Sequence, residues 1–146
     1  MTIHKNKTLF IFISTIIIFL FIPKLSFSNQ TLEGFWEENM DSYMQRKDNN
    51  YLKIEFKKDN KCNIYIIRTD GTSLNFSGIY DLDTQKKPMP LSIRSITNLN
   101  HSLHTIIRYI DENTIDIMQF SSTQRLRPVI FSEENKIRLK KIKLNN

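Results

Sequence analysis

Few side chains in this 146-residue sequence have types and spacings that could do chemistry. His101 and His104 lie three apart. On a helix that offset shares a face, but on a strand it points the two rings to opposite sides. No third His follows them and Cys62 is the single cysteine, so a zinc set of three or four N/S ligands is not completed. Asp81 and Asp83 flank Leu82 and have the residue type for acid–base work or for holding Ca²⁺. Lys86 and Lys87 crowd that stretch, and a calcium loop needs more oxygen ligands, so the pair reads as turn chemistry before a Pro-rich loop. Near the C-terminus Lys136, Arg138, Lys140, Lys141 and Lys143 have the charge to meet anionic lipid or nucleic acid. No aromatic residue interleaves with them to stack on a base, so they read as a solvated strand face. There is no G-x-S-x-G, no P-loop and no H-E-x-x-H. The sequence therefore assigns no catalytic residue, no metal and no cofactor.

The elements that would position any site begin with a leader. His4, Lys5 and Lys7 precede an apolar run from Leu9 to Ile22, which Pro23 stops. Ser26 and Ser28 then stand like the small residues of a cleavage site. Basic, apolar and small-residue regions in that order read as a secretory signal peptide over residues 1–28. The run is shorter than the ~20 apolar residues of a spanning helix, so cleavage after Ser28 is expected and no membrane span thereafter. The leader holds three of the 21 Lys and Arg and none of the 15 Asp and Glu. Residues 29–146 then carry a net charge of +3, which gives little reason to expect nucleic acid as a partner. With one cysteine no intrachain disulfide is possible, and Cys62, inside an apolar alternation, reads as a small buried hydrophobe.

Beyond the leader, period two dominates the chain. Leu32, Gly34 and Trp36 share one face of a first strand. A polar loop over 39–50 comes next, with no helical periodicity. Leu52, Ile54 and Phe56 form one face of a second strand, and Cys62, Ile64 and Ile66 one face of a third. Asp70-Gly71 marks a tight hairpin into Leu74, Phe76, Gly78 and Tyr80. The loop 81–90 precedes a short strand at Leu91 and Ile93. Leu103, Ile107 and Tyr109 share a face, followed by Ile115 and Ile117. Arg127-Pro128 disfavours helix. The last strand alternates from Lys136 to Lys140, and the phase slips at Lys141, where a bulge or a strand end is expected. About eight short strands at these spacings predict a closed antiparallel β-barrel over 29–146, with room for side chains or one small ligand.

Leu32-Glu33-Gly34-Phe35-Trp36 resembles the G-x-W opening of lipocalin-like barrels. The resemblance implies that Trp36 plugs the closed end, with Gly34 beside it, and that a basic residue packs over the ring; Arg138 and Arg127 are both open to that role. Gly78-Ile79-Tyr80-Asp81-Leu82-Asp83, then Pro88-Met89-Pro90-Leu91-Ser92-Ile93, then Arg127-Pro128-Val129-Ile130-Phe131 are similar in order and spacing to a family of small exported bacterial lipocalin-like domains without an assigned reaction. The segment Thr105–Tyr109 lacks the glycine usual there in that family.

Two functions fit these readings. One is an exported binding module, periplasmic or extracellular, for a small apolar ligand lined by Leu52, Ile54, Phe56, Ile64, Ile66, Leu74 and Phe76. The other is an envelope protein-interaction module, such as an inhibitor or assembly factor, in which the same residues fill the barrel and Phe35, Tyr65, Ile67 and Ile79 meet a partner. An enzyme is unsupported by any residue pattern.

Overall fold

Alternating residues commit one face of every strand to the interior, and the sheet must close to bury them all. The computed structural model describes residues 31–45 and 50–143; the leader and its cleavage site lie outside them. Eight strands run in chain order: β1 (Gly34–Glu38), β2 (Asn50–Phe56), β3 (Lys61–Arg68), β4 (Ser73–Leu82), β5 (Met89–Arg94), β6 (Leu103–Asp111), β7 (Thr114–Met118) and β8 (Lys136–Ile142). Each pairs antiparallel with the next, and β8 pairs with β1, so the sheet closes into a barrel with no free edge. The register sets Trp36 opposite Ile54, Ile54 opposite Ile64, and Ile64 opposite Phe76. On the other side Ile107 faces Ile117, which faces Ile137. These layers make one core in which Trp36, Ile54, Leu91, Ile93, Ile107, Ile115, Ile117 and Leu139 are each 0 % exposed. At these fully enclosed positions no water-sized void adjoins the side chain, so the middle of the barrel is packed solid.

Up-and-down connectivity puts alternate connections at opposite ends. Residues 57–60, 83–88 and 112–113 close one end with short turns. Residues 39–45 of the β1–β2 connection, 69–72, 95–102 and 119–135 gather at the other, and three of these four connections are long. The β3–β4 turn is the expected one: Gly71 has φ +82°, and Asp70 Oδ1 accepts from the Thr72 amide at 2.8 Å.

Three local expectations need correction. The 39–50 loop contains a short helix, α1 (Met40–Gln45), begun by Asn39, whose side-chain oxygen accepts from the Asp41 amide. Little more than a turn and a half leaves no periodicity to read. The 81–90 loop is shorter than expected, because β4 runs to Leu82 and β5 starts at Met89 with Pro90 inside it. Finally, there is no slip or bulge at Lys141. The inward phase of Ile137 and Leu139 simply continues through Lys141, which pairs with Trp36, while Ile142 pairs with Phe35 outside.

Candidate functional site

The inward apolar set divides along the barrel axis. Leu52, Ile54, Phe56 and Ile64 are buried in the core. Ile66 and Phe76 are only half-buried, and Leu74, opposite Ile66 on the β3–β4 hairpin, is 37 % exposed. Leu103 at the start of β6, Leu99 in the β5–β6 loop and Phe120 just after β7 are also half-buried against the core. All of these lie toward the long-connection end. The result is an apolar rim above a solid floor, and four of the seven expected lining residues are floor.

The short-turn end is sealed differently. Trp36 is fully buried, and its indole N–H donates to the Leu32 carbonyl at 2.8 Å. The cation over the ring is neither Arg138 nor Arg127 but Lys141, with Nζ 5.3 Å from the ring centroid. The register explains the correction: Lys141 faces inward on β8 directly opposite Trp36, whereas Arg138 points outward and Arg127 belongs to the β7–β8 connection. Gly34 has φ +131°, and a Cβ there would run into Lys141 Cε. The glycine thus makes room for the lysine stem. Cys62 is buried, and burial pushes its thiol up to about 11. The Tyr109 hydroxyl is enclosed with no hydrogen-bond partner among the described residues, and burial, with Tyr80 nearby, pushes it up to about 12.

Two polar clusters hold the outer face. Asp116 is fully buried between outward-facing Arg108 and Arg138 on the flanking strands. Arg108 Nη2 donates to Asp116 Oδ2 at 2.8 Å, and Arg138 Nε donates to Oδ1 at 2.7 Å. Burial by itself would raise the carboxyl; the hydrogen bonds from Arg138 and Arg108 outweigh it and hold Asp116 below the ordinary carboxylate range. Arg108 also stacks on Phe131, 4.3 Å from the ring centroid. In the second cluster Arg127 Nη2 donates to Ser92 Oγ at 2.6 Å and lies 3.2 Å from His104 Nδ1, with Ser92 Oγ 3.1 Å from the same nitrogen. His104 is thus half-buried and tied into this cluster, whereas His101 is exposed. Burial first, and Arg127 second, keep its imidazole below the ordinary value.

Ser92 and His104 have nucleophile–base spacing. Yet a base that takes up a proton becomes a cation, and a guanidinium 3.2 Å away opposes that charge. Among the described residues no carboxylate hydrogen-bonds to either side chain to offset it; Asp81 stands opposite Ser92, on the side away from His104. The cluster is built for structure rather than for proton transfer. Asp83 forms an ion pair with Lys86 and accepts from the Gln85 amide, as its turn reading requires. Among the described residues no three His, Cys, Asp or Glu side chains come close enough to share a metal ion. Of the C-terminal bases expected to be solvated, Lys136 pairs with Glu133, Arg138 with Asp116, and Lys141 turns inward; Lys140 and Lys143 are exposed.

Sequence reading misses Ser92, Asp116 and Lys141 as structural participants. Lys141 is findable, since strict alternation from Ile137 places it inward. Asp116 is not, because its partners lie on two other strands. No family model, curated protein or solved structure matches the chain.

Proposed function

We propose that the chain is an exported binding module that takes up an apolar molecule, or the apolar part of one, at the long-connection mouth of the barrel. The observation that carries this reading is Leu74, an inward-facing leucine left 37 % exposed at the mouth beside half-buried Ile66 and Phe76; at the other end Leu82 and Tyr109 are half-buried, but no inward apolar side chain is exposed among the described residues. Exposed apolar side chains clustered at a concave mouth gain free energy when a ligand covers them. The resemblance of the Gly34–Trp36 opening to lipocalin-like barrels, and the signal-like leader, support a carrier outside the cytoplasm. The solid floor limits the ligand to a shallow seat.

The test is titration with N-phenyl-1-naphthylamine, an uncharged apolar fluorophore. Saturable fluorescence enhancement is expected, and Leu74→Glu weakens it about tenfold or more, the factor for losing one buried leucine's worth of contact. No saturable binding by the parent chain, or an unchanged affinity in Leu74→Glu, overturns the reading.

A second reading, an envelope protein-interaction module, is favoured by Leu126, Val129 and Ile130 in the β7–β8 connection, each about three-quarters exposed. Serine at these three positions then abolishes co-purification of a partner and leaves fluorophore binding intact.

A further inference from the structure

The β7–β8 connection does more than join two strands. It leaves β7 at the mouth and pairs Ser121 with His104 through two backbone hydrogen bonds of 2.8 Å. It then passes a 3-10 turn (Gln124–Leu126), anchors Arg127 on Ser92 and His104, and sets Phe131 beneath Arg108. His104 and Arg108 flank Ile106 on the outer face of β6, and Ile106 is buried although it points away from the core. Met118, outward on β7, is buried too. The connection is a strap over an apolar strip on the outside of the barrel.

The geometry points to an acid-released latch: neutral His104 holds the Arg127 end of the strap down, and protonation of His104 frees it. A guanidinium nitrogen only donates, so Nδ1 at 3.2 Å serves as an acceptor and the ring proton sits on Nε2. A second ring proton would set N–H against N–H and put two cations in contact. β5 offers Ser92 and, two positions along the same face, Arg94; β6 offers Ile106, with Ser102 just before it; the strap offers Ser121 and Arg127. The carboxylate in this row is Asp81 on β4, which stands opposite Ser92 and so lies one strand farther from His104 than Ser92 does. No negative charge adjoins the ring from these elements. Burial and Arg127 already hold the imidazole below its ordinary value of 6.5. The latch is therefore complete above that value and is lost as pH falls through the lower folded-state value. The backbone bridge at Ser121 is untouched, so the strap opens from its Arg127 end and uncovers Ile106.

Amide exchange read by mass spectrometry, corrected for the intrinsic pH dependence of exchange, tests this on the purified chain. Peptides covering 121–131 are expected to lose several-fold protection between about pH 7.5 and about pH 5, while β8 peptides do not change. His104→Asn, which places a non-titrating amide near Nδ1, removes that pH dependence. Arg127→Met leaves the strap unprotected at both pH values and raises the His104 titration midpoint seen by NMR. Strap protection independent of pH in the parent chain, pH dependence retained in His104→Asn, or an unmoved His104 midpoint in Arg127→Met each overturns the proposal.

Discussion

Lys141 and Gly34 share one space: the lysine stem passes where a side chain at position 34 would begin, on its way to place Nζ 5.3 Å from the centre of the Trp36 ring. Gly34→Ala therefore meets two penalties, backbone strain at φ +131° and displacement of Lys141. Together they cost about 2 kcal/mol. Lys141→Ala alone loses the cation–π contact, about 1 kcal/mol. In the double variant the steric part disappears and the backbone strain stays, so the combined loss is smaller than the sum of the single losses. Urea unfolding of the four proteins checks this, and strict additivity would show that the two residues do not compete for space.

Asp116 ties β6, β7 and β8 together from outside the barrel. Asp116→Ala leaves Arg108 and Arg138 facing each other with no anion between them. The expected cost is about 2 kcal/mol, below that of a fully buried pair because both guanidinium side chains are more than a third exposed. The pH dependence has a definite sign. The folded carboxyl is held below its unfolded value, so its stabilisation is full above the unfolded value and is lost as pH falls through the folded one. Asp116→Asn flattens that acid limb of a stability-versus-pH curve; an unchanged limb would show that other carboxylates set it.

Much of the barrel is legible in the sequence because alternation is a local signal. Leu52, Ile54 and Phe56, or Ile115 and Ile117, declare their inner face within a few residues, and eight such segments leave little alternative to closure. What escapes lies where the role of a position depends on distant partners. Asp116 is an isolated acid between isoleucines until Arg108 and Arg138 arrive from neighbouring strands. Ser92, between Leu91 and Ile93, acquires a role only when the strap brings Arg127 across. Lys141 misleads for another reason: a charged residue at an inward position looks like a broken phase, although its apolar stem and a neighbouring aromatic ring suit it to the end of a barrel.

Cys62 lies between β2 and β4 in the core, opposite Phe56 and Gly78. Burial pushes the thiol up to about 11, with a backbone hydrogen bond at Gly78 opposing the shift, so thiolate is scarce at neutral pH and enclosed. Labelling by Ellman's reagent is expected only through unfolding, with a rate that climbs with urea in step with the loss of structure. Stoichiometric labelling within seconds in native buffer would refute the enclosed position.

The Tyr109 hydroxyl is a polar group without an acceptor among the described residues, enclosed near Tyr80 at the inner side of β6. A buried donor that leaves water and finds no partner costs about 1–3 kcal/mol, and phenylalanine keeps the ring while deleting that donor. Tyr109→Phe is therefore expected to stabilise the domain by about 1 kcal/mol, against the usual direction of a core substitution. Because the folded phenol is pushed up to about 12 from 10.0, its contribution is full below the unfolded value and is lost as pH rises through that window. The parent chain then loses stability in strong alkali faster than Tyr109→Phe. Thermal melts across the alkaline range check both claims, and a destabilised variant would show that an ordered water or a bound molecule already satisfies the hydroxyl.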